Sequence, residues 1–135
     1  MACLDTCVVL DLRGRDPAMK SKAIGKLQEL RSRGETLVVS RFTWAELYVG
    51  VSRAEDPAVE ETGLRRAMEA LGVLEFDDRA ARLFGSLTAR LSREGRLPGD
   101  LDVLIAATAL SAGHLVLTRD TDHFRRVPGL VVETY

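Results

Sequence analysis

Short apolar runs at residues 2–5, 36–40, 73–76, 115–118 and 130–134 are set apart along the chain, with helix-like sequence between most of them. The runs "TLVVS" and "LVLT" do not alternate with polar residues, which is the pattern of strands covered on both faces. Strands joined through helices need crossovers. Those crossovers are right-handed and lay the helices against the sheet. The spacing therefore predicts a three-layer α/β/α domain around a parallel sheet, one domain over residues 1–135.

The intervening stretches carry their own signals. Residues 18–33 read as a helix with Ile24, Leu27 and Leu30 on one side and Gly34 as its stop. A helix begins near Thr43. Another starts at Pro57, carries Leu64, Met68 and Leu71, and ends at Gly72. Residues 77–93 place Ala80, Leu83, Phe84, Leu87 and Leu91 at helical spacing. Residues 100–112 form an apolar helix stopped by Gly113, and "TCVVLDL" after the first run reads as a brief apolar turn.

With 46% hydrophobic and 29% charged residues, the chain has the composition of a globular domain. Its apolar runs fall short of the roughly 18–20 residues a membrane span needs. The opening segment has no basic region and meets Asp5 early, so no signal peptide is expected. Cys3 and Cys7 are then expected to be reduced thiols of a cytoplasmic protein. A net charge of −1 does not point to nucleic acid, although two divalent ions held by acids would make the balance positive.

In such sheets ligands bind beyond the carboxyl ends of the strands, at a switch in strand order. Asp5 ends the first strand, and Asp120 lies just past the fourth. Glu46 falls early in the helix after the second strand. Asp102 opens the helix that feeds the fourth. All of these acids land on one rim. Clustered carboxylates repel and lose hydration, so protons or cations must neutralise them. Oxygen-only ligands favour Mg²⁺ or Mn²⁺ over zinc, and such an ion suits phosphodiester hydrolysis.

Structural duties compete for each residue. Thr43 to Glu46 fits a capping box. Asp100 and Asp102 could serve a helix dipole, and Asp120 and Asp122 could be turn residues. Only Asp5 has no evident structural task. Cys3 and Cys7, with His114 and His123 distant, do not make a zinc site. His123 reads as a surface loop histidine. Trp44 could stack on a base or join the core. Arg41 and Arg119 could hold substrate phosphates or pair with the neighbouring acids Glu46 and Asp120.

Asp5-Thr6 after the first strand, Thr43-x-x-Glu46-Leu47, Asp102-x-x-Ile105-Ala106-Ala107, Thr118-x-Asp120 and the tail "FRRVPGL" together resemble a PIN domain. The likeness is greatest to VapC-type toxins of type II toxin–antitoxin pairs and spans nearly the whole chain. It implies a five-stranded parallel sheet ordered 3-2-1-4-5, and a Mg²⁺- or Mn²⁺-dependent endoribonuclease that hydrolyses RNA. It also implies a homodimer and a cognate VapB-like antitoxin, whose helix would lie in an apolar groove of the helices at 18–33 and 43–71. Motif by motif, Asp5, Glu46, Asp102 and Asp120 become the catalytic, metal-binding acids, with Thr6 and Thr118 as supporting hydroxyls. Asp100 and Asp122 are further candidates; helical positions 100 and 102 point about 200° apart, so both face the site only if Asp100 precedes the first turn. Two other readings stay open: a non-catalytic module that binds RNA or protein, and a structure-specific DNA nuclease.

Overall fold

The computed structural model describes residues 1–135. In chain order the elements are β1 (Ala2–Leu4), α1 (Thr6–Arg13), α2 (Pro17–Ser32), β2 (Leu37–Ser40), α3 (Arg41–Arg53), α4 (Pro57–Met68), β3 (Gly72–Leu74), α5 (Asp78–Arg93), α6 (Asp100–Ser111), β4 (Leu115–Leu117), α7 (Thr121–Phe124) and β5 (Val132–Glu133). The sheet runs β3-β2-β1-β4-β5. Every pairing is parallel, with Leu4 opposite both Val39 and Leu117. No helix is long and apolar enough to cross a membrane.

Alternate strand residues sort onto opposite faces, and both faces are dry. Ala2 and Leu4, Leu37 and Val39, Leu115 and Leu117 pack with Leu27 and Leu30 of α2, Leu47 of α3 and Leu64 of α4. Cys3, Val38 and Val116 face the other way, against Leu87 and Leu91 of α5, Val103 and Ile105 of α6, and Phe124 of α7. Burial on both sides explains why the central strands lack polar alternation. The edge strands β3 and β5 are only partly covered.

Three expectations need correction. The segment after β1 is a full helix, not a turn: Asp5 sits at its N-cap, and Val8 and Val9 on its inner face are completely buried. Packing there overrides the weak helix propensity of adjacent valines. Ile24 is 40% exposed; Ala23, Leu27 and Leu30 form the inner face of α2 instead. The chain after Asp120 is not a plain loop, because α7 forms and seats Phe124 in the core. Gly34 and Gly113 stop α2 and α6 as expected, with φ of 81° and 72°.

Phe124→Ala should lower unfolding free energy by about 3 kcal/mol or more, because it empties a fully buried aromatic site. Ile24→Ala should change it by roughly 0.5 kcal/mol or less. Urea denaturation of both variants checks the assignment of core against surface.

Candidate functional site

The central pairing of β1 with β4 creates the site. Both strands end at the same edge, and the Asp5 N–H donates to Leu117 O at 3.0 Å. Asp5 is 7% exposed, and Thr118, the residue after β4, is fully buried. The Thr118 hydroxyl donates to Asp5 Oδ2 at 2.7 Å while accepting the Asp120 N–H at 2.9 Å. One hydroxyl thus fixes a buried carboxylate and orients the backbone that carries the next. Asp5 Oδ1 takes the Thr6 N–H at 2.7 Å, and the Cys7 thiol approaches Oδ2 at 3.4 Å.

The helices supply the remaining acids. Ser40 caps α3 by accepting the Thr43 N–H at 3.0 Å, so Thr43 is already inside the helix. The capping-box reading of Thr43 and Glu46 is therefore displaced. Glu46 instead reaches across to accept the Thr6 hydroxyl. Helix α6 begins after Gly99, which offers no side-chain cap, and Asp102 lies in its first turn. Asp120 occupies the N-cap position of α7 without capping it, which leaves its carboxylate to meet other side chains. His123 closes the group: its Nδ1 stands 2.8 Å from Asp102 Oδ2 and 3.0 Å from Asp120 Oδ2. Ligand atoms of Asp102, Asp120 and His123 all lie within 4.8 Å of one another.

The electrostatics record the crowding. Burial raises the Asp5 carboxyl above the ordinary range, and the charge on Asp102 adds to it. The bonds from Thr118, Thr6 and Cys7 oppose the rise. Burial also raises Asp102, against the hydrogen bond and charge of His123, while the charges of Asp120 and Glu46 push the same way as burial. Carboxylate oxygens with one imidazole nitrogen are a donor set that fits a divalent cation. A cation would offset the lost hydration that mainly raises these carboxyls, and the smaller mutual repulsion with it.

The other candidates lie apart. Asp100 is exposed in the first turn of α6, inside the helix, so it diverges from Asp102 as the helical geometry requires. Asp122 is exposed and pairs with Arg126 at 2.7 Å. Arg41 pairs with Glu75 rather than Glu46. Arg119 pairs with Asp11 at 2.7 Å rather than Asp120, and Tyr135 Oη donates to the same carboxylate at 2.6 Å. Trp44 stacks on Tyr48, with ring centroids 5.4 Å apart, beside a cavity of about 370 Å³ lined also by Arg41 and Arg65. His123 was expected at the surface as a loop residue. Its spacing of three from Asp120 carried a signal only if the intervening residues were recognised as a helical turn.

The sequence matches the family model described as "PIN domain" over residues 2–130. It is 30% identical over 132 residues to the Haemophilus influenzae protein named Ribonuclease VapC2, covering 98% of this chain and 96% of that one. The fold is similar to a chain of VapBC2 from Rickettsia felis bound to a promoter DNA fragment, with a TM-score of 0.90 and 24% identity over 99% of this chain and 98% of that one. It is also similar to a chain of DNA-bound VapBC from Salmonella typhimurium, with a TM-score of 0.82 and 26% identity over 98% and 96%.

Because folding raises the Asp5 pKa, its contribution to metal-free stability is full below the unfolded value near 3.9 and is lost as pH rises through the folded value. At neutral pH the ionised group is a burden. Asp5→Asn removes the charge and keeps one acceptor oxygen, enough for the Thr6 N–H, while its amide NH₂ would face the Thr118 hydroxyl as a donor. It should stabilise the metal-free protein at pH 7 by about 0.5–2 kcal/mol, with the gain shrinking towards pH 4. Thermal unfolding in a chelator across this pH range measures it; a loss of stability at pH 7 would contradict the burial argument.

Proposed function

The chain belongs to the PIN domain family, and from that premise we propose that it is the toxin of a VapBC-type pair, an endoribonuclease that uses Mg²⁺ or Mn²⁺ and acts in the cytoplasm as one domain over residues 1–135. The observation that carries the reading is the meeting of Asp102, Asp120 and His123 within 4.8 Å, beside a buried Asp5 whose carboxyl is pushed up. The name of the Haemophilus influenzae relative supports the ribonuclease activity, and the Salmonella typhimurium complex supports a VapB-like antitoxin as partner.

Asp5, Asp102, Asp120 and Glu46 would hold the ion, with Thr6 and Thr118 fixing two of the carboxylates. A divalent ion supplies Lewis acidity, which activates water and neutralises charge developing on the phosphate. The protein's share is orientation. The Thr118 hydroxyl, its proton committed to Asp5, prevents that carboxylate from turning away. Glu46 Oε2 is held by Thr6, which leaves Oε1, at an exposed rim, as the oxygen Glu46 would offer the ion.

Arg41 and Arg119 are 53% and 46% exposed and would meet RNA phosphates; the Arg41 pair with Glu75 is exposed and exchanges at little cost. Trp44 offers an aromatic face for a base. The antitoxin helix would lie along the exposed apolar residues Leu10 of α1, Ile24 of α2 and Val59 of α4, and a second copy of the chain would complete a homodimer. Cys3, with its thiol pushed up to about 12 by burial, stays inert in this setting.

Single-stranded RNA should be cut in the presence of Mn²⁺ or Mg²⁺ and not in a chelator. Glu46→Gln and Asp120→Asn should each lower the rate by at least about 100-fold and relieve growth arrest. Cleavage that survives chelation would contradict the reading, as would preference for flap DNA over RNA.

A further inference from the structure

His123 is placed by α7 with no structural task of its own. Phe124 fills the core beneath it, whereas the His123 side chain is 39% exposed and turns towards the acids. Its ring contacts no backbone acceptor; Nδ1 meets the Asp102 and Asp120 carboxylates alone. The separations of 2.8 and 3.0 Å deserve comparison with coordination geometry. An octahedral ion with bonds of about 2.1 Å sets neighbouring donor atoms roughly 3 Å apart. The Nδ1 separations match that spacing as well as a hydrogen bond, and all three donor atoms lie within 4.8 Å of one another, close enough to surround one ion once the imidazole Nδ1 is unprotonated. His123 is the only nitrogen donor in the group.

We propose that His123 is a ligand of the ion held by Asp102 and Asp120, and that it tips this site towards a first-row transition ion such as Mn²⁺ over Mg²⁺. The inference rests on the metal-dependent reading above and deepens it. Mg²⁺ takes hard oxygen donors and keeps its waters, so an imidazole adds little to its binding. First-row transition ions accept imidazole nitrogen along with carboxylate, and affinity for mixed nitrogen and oxygen sites rises along that series. Helix α7 is the device that delivers the nitrogen, since one helical turn brings position 123 back over position 120. Asp120, freed from capping, and His123 then act as a pair from a four-residue element anchored by one buried phenyl ring.

The test uses the full chain with Mn²⁺ alone. Pulsed electron paramagnetic resonance of the bound ion should detect a directly coordinated histidine nitrogen. The only other histidine, His114, is buried at the start of β4 with its Nδ1 on Ala112 O, so His114→Gln should keep the nitrogen signal. His123→Ala and His123→Gln should abolish it. Each should also lower the Mn²⁺-to-Mg²⁺ affinity ratio about ten-fold by calorimetry. Bound Mn²⁺ that is lost in Asp102→Asn yet carries no nitrogen coupling would overturn the role of His123 while leaving the metal-dependent reading intact. No Mn²⁺ at the acids of the wild-type chain would overturn both. Because the signal is read first on the wild-type protein, the outcome does not depend on either His123 variant folding.

Discussion

The parallel pairing of β1 with β4 governs the molecule. It sets Leu4 opposite Leu117, so the next residues, Asp5 and Thr118, meet at the sheet edge as a buried acceptor and donor. That single hydrogen bond ties residues 113 positions apart at the point where the strand order reverses. The flanking helices then converge on it. The α1 N-terminus carries Thr6 to Glu46 of α3, and α6 and α7 bring Asp102, Asp120 and His123.

The same geometry sets stability against function. A dry, close-packed sheet on both faces provides rigidity, and this rigidity holds together carboxylates that repel. Burial is the largest cause of the raised Asp5 and Asp102 carboxyls. Hydroxyl donors reduce the strain without cancelling it. A cation would complete the balance, and three candidate donor atoms lie within 4.8 Å of one another to receive it. Strain of this kind at a preorganised site is a common signature of function.

Much of this was legible in the residues. The apolar, unalternating strands at 36–40 and 115–118 dictated a sheet covered on both sides, and the placement of Asp5, Glu46, Asp102 and Asp120 on one rim followed from strand and helix direction. What escaped was tertiary. The stretch "TCVVLDL" read as a brief turn, whereas Val8 and Val9 form the completely buried face of α1. Ser40, not Thr43, caps α3, because the strand ends one residue before the helix begins. Arg41 and Arg119 found partners, Glu75 and Asp11, that sequence proximity could not suggest. His123 was hidden because a four-residue helix has too short a period to detect, yet that turn decides where its ring points.

The central claim is that these carboxylates share a divalent cation. Anomalous diffraction from a crystal soaked in Mn²⁺ tests it directly. The account predicts one strong peak within bonding distance of Asp102 and Asp120, on the side facing Asp5. A crystal with Mn²⁺ elsewhere, or with these acids simply protonated and bonded to one another, would contradict it.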